Sequence, residues 1–397
     1  VFVPIANTPR NYAWGSATDI AALLGVSSSG SPEAELWLGA HPGSPARILT
    51  PLNVGGFATL ADWIARNPAS AGLSGPRLPF LLKLLAADAP LSLQAHPSPE
   101  RAAEGFAEEN TAGVPLEAPT RNYKDPFHKP EVIFALSDRF EALCGFRPVA
   151  DAITDVDALI AAPGLSAGAV ATLVSFRSSL EGQDSEVLRR VVGSLLSDDA
   201  SVLVEAVTDA AASAPATPAV DTVRLLARHY PGDPGIVVSL FIHRVTLRRG
   251  EVLYLPAGNI HAYLSGFGVE LMAASDNVLR GGLTPKHIDV AELLKVLDFT
   301  PMPVPYLAPE RPEDGVDLYR PDVPDFELVH VVATETLSPT IALPGVAIAL
   351  ATAGELTLTG SSGTIQLRRG DAAYITADEG ALQVRGSGEL FVATTSL

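Results

Sequence analysis

A mainly β fold, with two antiparallel jelly-roll barrels and an α-helical insert, follows from three features of the sequence. The tail echoes an earlier stretch. A block of helical periodicity interrupts the strand-rich part. Elsewhere 33 glycines and 33 prolines in 397 residues cut the chain into short extended runs joined by turns.

Residues 1–149 form the first part of the leading barrel, and two helices are expected within them, LADWIARN and PERAAEGFAEEN. Residues 150–232 are the insert. In SEVLRRVVGSLL the apolar Val187, Leu188, Val191, Val192, Leu195 and Leu196 make one stripe at helical period, with Asp184 or Ser185 as N-cap. SVLVEAVTDAAAS and VDTVRLLARHY behave alike, APATPA separates them, and PGDPG closes the block. Strands resume with IVVSLFIHRVTL, and residues 233–310 complete the leading barrel. Residues 311–397 form the second. The two are related by LRRGEVLYLPAGNIHAYLSGFGVELMAAS from Leu247 and LRRGDAAYITADEGALQVRGSGELFVATT from Leu367, which align at an offset of 120. Gly250 matches Gly370 and Tyr254 matches Tyr374, but His261 meets Ala381. Any chemistry of that histidine belongs to the first barrel, and the tail barrel carries no metal site.

Composition excludes several functions. A formal net charge of −18 argues against nucleic acid and anionic membranes as partners. The run LPFLLKLLAADAPLSL is broken by Lys83 and Asp88, and TIALPGVAIALATAG is short and interrupted by Pro344, so neither spans a bilayer. The single cysteine, Cys144, excludes an intrachain disulfide and favours a reducing compartment. The opening VFVPIANTPRNYAW has no basic region ahead of an apolar stretch, so a cytoplasmic protein without a signal peptide is expected. Of 27 basic residues only Lys83, Lys124, Lys129, Lys286 and Lys295 are lysines. A lysine here marks a place where a compact ammonium is wanted, unless codon bias alone set the number.

The segment LSLQAHPSPE places Gln94 and His96 two residues apart between prolines. In a strand, residues i and i+2 share a face about 6.6 Å apart, whereas in a helix they diverge by about 200°. A carboxamide oxygen and an imidazole nitrogen converging on one point can bind a divalent metal; a buried pair bonded to backbone is the plainer alternative. KPEVIFAL puts Glu131 at the head of an apolar strand, where a lone carboxylate needs a cation, a hydrogen-bond cage or solvent. YLPAGNIHAYL puts His261 just after a glycine turn. Together Gln94, His96, Glu131 and His261 make a plausible site for Zn²⁺ or a similar ion, which keeps its Lewis acidity beside a single carboxylate.

At these residues the chain resembles the type I mannose-6-phosphate isomerases (phosphomannose isomerases), zinc enzymes with a cupin fold. The matching segments are NYAWGS, AELWLGAHP, LPFLLKLLAADAPLSLQAHP, NYKDPFHKPEVIFAL and YLPAGNIHAYLSGFGVELMAASDNVLRGGLTPKHID. They cover the chain from residue 11 to about 300 apart from the insert; the tail matches in kind more than in sequence. The resemblance implies two cupin-like barrels and one Zn²⁺ per chain, other divalent metals not being excluded, with Gln94, His96, Glu131 and His261 as ligands. It puts the essential arginine at Arg280 and pocket positions at Trp14, Lys83, Ser92, Lys129, Glu270 and Lys286, and no motif position departs from the pattern.

The implied reaction interconverts mannose 6-phosphate and fructose 6-phosphate through a cis-enediol. It needs a base and an electrophile for the developing oxyanion. Arg280 stays cationic and suits the enediolate. Glu270 is the favoured base, with Lys129, Lys286 or a metal-bound water as alternatives. Ser92, Lys83, Arg280 and Lys286 are candidates for the phosphate, and Trp14 and Tyr263 for the pocket walls. His128, beside the KPE segment, is expected to orient a ligand. Two other functions stay open: a cupin oxygenase, and a non-catalytic, metal-dependent sugar-phosphate-binding cupin. A monomer is expected.

Overall fold

The computed structural model describes residues 1–396. Two antiparallel sheets, of nine and ten strands, carry the fold. The spine of the first is His261–Ala273. Its first half lies between Gln94–Ala95 and Phe140–Phe146, its second half between Phe80–Ala87 and Glu131–Ala135. The change of partners falls at Gly266, whose φ is 127° and whose missing side chain leaves room for the backbone of Phe140: a Cβ there would sit 2.8 Å from Phe140 Cα.

The spine of the second sheet is the pair Ala347–Thr359 and Leu382–Thr394, hydrogen-bonded along most of their length. The internal echo is visible as geometry. Ile242–Leu247 and Thr364–Arg368 each end in a turn with a positive-φ glycine, Gly250 at 89° and Gly370 at 91°. Val252–Leu255 and Ala372–Ile375 follow, and then a 13-residue strand, starting at His261 in one copy and Leu382 in the other. The second copy therefore has one more residue in the loop before its long strand.

Between Phe140–Phe146 and Ile242–Leu247 lie six α-helices, Val149–Ile160, Ala167–Ser178, Asp184–Ser197, Ser201–Ser213, Pro218–His229 and the one-turn Gly235–Val238. Ser166 and Thr217 cap two of them by accepting the Ala169 and Val220 amides. The expected stripe is buried at Val187, Leu188, Val191, Val192 and Leu195, with Leu196 only partly so. Neither Asp184 nor Ser185 is the cap: the helix starts at Asp184, and its carboxylate accepts the Val149 amide at 3.3 Å. A tertiary contact to the start of another helix has displaced the local one. Helical side chains share one apolar cluster with Ala95 and Leu279 of the first sheet and with Leu93 and Ile260, each next to one of its strands.

The N-terminal part departs from its expected place in one respect. Phe2–Ala6 and Arg47–Ile48, assigned by sequence to the first barrel, hydrogen-bond into the tail sheet, Phe2–Ala6 lying along Ala372–Ile375. The reason is an unfilled strand edge at Ala372–Ile375, which an alternating FVPIA run completes. The short helices Asp19–Leu24 and Val290–Val296 had no clear periodicity to announce them. No helix among the described residues is long and apolar enough to cross a membrane.

Arg249 links the sheets, donating to both carboxylate oxygens of Glu389 at 2.9 and 2.8 Å. His330 and the Thr352 hydroxyl donate to the same carboxylate. Burial pushes the Glu389 carboxyl up, but these hydrogen bonds and the charges of His330 and Arg249 outweigh it and bring the pKa down to about 2. A group depressed in the fold stabilises it above its ordinary value and loses that contribution as pH falls through the folded one. Glu389→Gln is therefore expected to be less stable than the parent at neutral pH and to converge with it between about pH 4.5 and 2. Urea midpoints across that range test this; parallel curves would contradict it.

Candidate metal and substrate site

Strand register explains why distant residues meet. Residues directly opposite in neighbouring antiparallel strands point to the same face. Gln94 lies opposite His261 on one side and Arg280 on the other, so Arg280, Gln94 and His261 form one row across three strands. A second row runs Trp37, Lys83, Glu270. Glu131 heads its strand opposite Met272.

Around the first row a buried cluster closes. His96 Nε2 lies 3.3 Å from Glu131 Oε1, and His261 Nε2 lies 3.4 Å from Oε2. The Gln94 carboxamide faces His261 Nε2 at 3.3 Å, and a half-turn of the amide puts its oxygen there. The protons of both rings are spoken for. His96 Nδ1 meets the Asn277 carbonyl at 2.8 Å, and His261 Nδ1 meets the Asn259 carbonyl at 3.0 Å. Each Nδ1 therefore donates, and each Nε2 turns a lone pair toward the carboxylate. Burial pushes the His96 imidazole down to about 4. Burial works against the Glu131 carboxylate, yet the Lys129 ammonium, 3.2 Å away, holds it well below the usual range. Acceptors thus face acceptors at 1–2% exposure, and His96 Nε2 and Glu131 Oε2 have no hydrogen-bond partner. Such a set repels itself unless a cation lies between its members. The ligand atoms of His96, Glu131 and His261 all lie within 4.8 Å of one another, a span suited to one ion.

Gln94 and Glu131 of the cluster open onto a cavity of about 590 Å³. Trp14, Lys83, Ser92, Gln94, Lys129 and Glu131 line it, as do Tyr263, Glu270, Arg280 and Lys286; His96 and His261 lie behind this surface.

Residues 2–149 match the family described as phosphomannose isomerase type I, catalytic domain. Over its full length the chain is similar to mannose-6-phosphate isomerase of Salmonella typhimurium, 38% identical with 97% of both chains covered. The human mannose-6-phosphate isomerase is 35% identical, with 95% of this chain and 93% of the relative covered. Among solved structures, a mannose 6-phosphate isomerase bound with zinc and yttrium superposes with a TM-score of 0.86 at 35% identity, all of both chains being covered. A holo, zinc-bound mannose 6-phosphate isomerase gives 0.87 at the same identity and coverage. The chain belongs to the type I phosphomannose isomerases.

The cations of the cavity differ in how they are compensated. Lys83 is enclosed: its ammonium donates to Glu270 at 2.9 Å, lies 3.8 Å from Glu35, and sits 5.3 Å from the Trp37 ring centroid. Burial works against its charge, but the carboxylates, Glu270 foremost, win and raise its pKa. Burial also raises the Glu270 carboxyl, with Lys83 opposing and Glu131 and Glu35 assisting. At the rim, Arg280 and Lys286 have no carboxylate partner among the described residues, and burial lowers the pKa of both, Arg280 adding to the effect on Lys286. This is an uncompensated positive edge. Tyr263 is buried with its hydroxyl unpartnered, and burial drives its pKa well above the usual value, so it stays a donor.

Among the described residues His128 makes no hydrogen bond to a candidate ligand; its Nε2 meets Asp325 of the tail at 2.6 Å. Lys124 lines a separate cavity and donates to the Leu116 carbonyl at 2.7 Å. Sequence reasoning missed Glu35, Tyr12, Asp276, Asn259 and Asn277. Glu35 carried the same signal as Glu131, a carboxylate heading a buried apolar strand, ELWL. Tyr12 stacks on Trp14 with centroids 5.7 Å apart. Asn259 and Asn277 act through their carbonyls, for which no residue type is a signal.

Proposed function

We propose that the protein interconverts mannose 6-phosphate and fructose 6-phosphate, with one Zn²⁺ held by Gln94, His96, Glu131 and His261. The observation that carries this reading is the buried, self-repelling acceptor cluster opening onto the uncompensated Arg280–Lys286 edge. When bound, the ion would supply Lewis acidity to the sugar's carbonyl. Arg280, nearer the cluster by its register with Gln94, meets the developing enediolate, and the Lys286 end of the edge, with Ser92, takes the phosphate. Glu270 moves the proton between the two carbons: its raised pKa favours a carboxyl that both accepts and returns it, and Lys83 stabilises its ionised form. Lys129 balances Glu131, Tyr263 donates to a sugar oxygen, and Trp14 walls the cavity.

The same reading makes 1–149 and 233–310 one cupin-like catalytic barrel, 150–232 a helical insert and 311–397 a cupin-like barrel without metal, the strands at residues 2–6 and 47–48 being lent to the tail. A buried Cys144 fits a reducing, cytoplasmic setting. A coupled assay for fructose 6-phosphate, run after chelation and again after Zn²⁺ is restored, tests the function. Turnover is expected to vanish and return; turnover indifferent to the chelator, or none with the metal bound, would refute it.

A further inference from the structure

The turn that ends the helical segment reaches the rim of the cavity. The Asp233 carboxylate accepts three backbone amides there: Gly235 at 2.7 Å and Leu283 at 2.8 Å on one oxygen, Thr284 at 3.2 Å on the other. The loop it grips is strained. Leu283 has φ of 55°, the left-handed region that a branched side chain rarely adopts, and its side chain is 1% exposed. The backbones also touch: a Cβ on Gly282 would lie 2.8 Å from Gly235 Cα, and one on Gly235 would lie 2.9 Å from the Leu283 nitrogen. Just beyond the grip, the Thr284 hydroxyl accepts the Lys286 amide at 3.1 Å. From the same turn, the Tyr230 hydroxyl donates to the Pro90 carbonyl, two residues before Ser92.

We propose that Asp233 is a positioning residue for substrate binding, holding residues 282–284 in the shape that presents Thr284 and Lys286 to the cavity. The proposal rests on the reading of that edge as the phosphate end of the site. Arg280 does not depend on Asp233. Strand pairing fixes it through Leu279 opposite Ala95 and Arg280 opposite Gln94, and the Gly281 amide donates to the Leu93 carbonyl at 2.8 Å. Loss of the clamp should therefore weaken binding and spare the chemical step.

The test compares steady-state kinetics with mannose 6-phosphate and zinc content in the full-length, zinc-loaded protein. Asp233→Ala is expected to raise KM about tenfold or more, with kcat within about threefold and zinc unchanged. Asp233→Asn keeps one oxygen but sets an NH₂ group against the Thr284 amide, and should raise KM by an intermediate factor. In a Lys286→Ala background, Asp233→Ala should add less than about twofold, since both act through one loop. An unchanged KM in a folded, zinc-loaded variant, effects that multiply in the double variant, or KM and kcat impaired in parallel would each overturn the proposal. Should Asp233→Ala fail to fold, Asp233→Asn decides by the same criteria. A parent that turns over no mannose 6-phosphate sinks the underlying reading instead, before any variant is compared.

Discussion

His261→Ala loses bound zinc and turnover together. The imidazole supplies one of three charged or lone-pair atoms within 4.8 Å of one another, and no other histidine, cysteine, aspartate or glutamate among the described residues joins that group. Removing it leaves Glu131 and His96 at 1–2% exposure with a gap between acceptors. The expected loss in turnover is about 10³-fold or more, equivalent to roughly 4 kcal/mol of transition-state stabilisation. Metal content by elemental analysis and the coupled assay must fall in step. The parent should also gain thermal stability on zinc addition, because a ligand that binds only the folded state stabilises it by mass action, and the variant should gain far less. Full zinc occupancy in His261→Ala would remove His261 from the ligand set.

Arg280→Ala keeps its zinc and loses turnover. Arg280 lies in the same row as Gln94 and His261, but it carries a permanent charge and touches no member of the metal cluster through an ion pair among the described residues. Its removal takes a preorganised donor from the edge of the cavity, a change that costs about 10²–10³-fold in rate where such donors meet a developing oxyanion. Arg280→Lys should recover only part, since an ammonium lacks the planar fork that meets two oxygens at once. Loss of metal from Arg280→Ala would show that the arginine serves the cluster rather than the substrate.

The contrast between these two variants also marks how much of the site was legible in the chain. Gln94 and His96 announced themselves by their spacing between prolines, and Glu131 by standing alone at the head of an apolar strand. Each of these is a local conflict between a polar side chain and a buried setting, which a one-dimensional reading detects. Glu35, at the head of ELWL, raised the same conflict. The pairing of Lys83 with Glu270 had no local sign. It arises because these residues stand directly opposite in the register of Phe80–Ala87 with His261–Ala273, strands some 187 positions apart at that pair. The same register turned Lys83 from a free cation into an enclosed one, and left Arg280 and Lys286 as the uncompensated edge.

By itself the sequence determined the alternation of strand and helix, the internal echo, the residues able to hold a metal, and the absence of a metal-binding residue at the matching place in the tail. These depend on periodicity and residue chemistry, both written within a few neighbours. Only the tertiary structure decided which strands pair, that residues 2–6 complete the tail sheet, that Asp184 serves another helix, and that Asp233 reaches the 282–284 loop. Backbone amides and carbonyls are the same at every position, so the partner that satisfies them is chosen by the packing of the whole molecule and leaves no mark on the residues concerned.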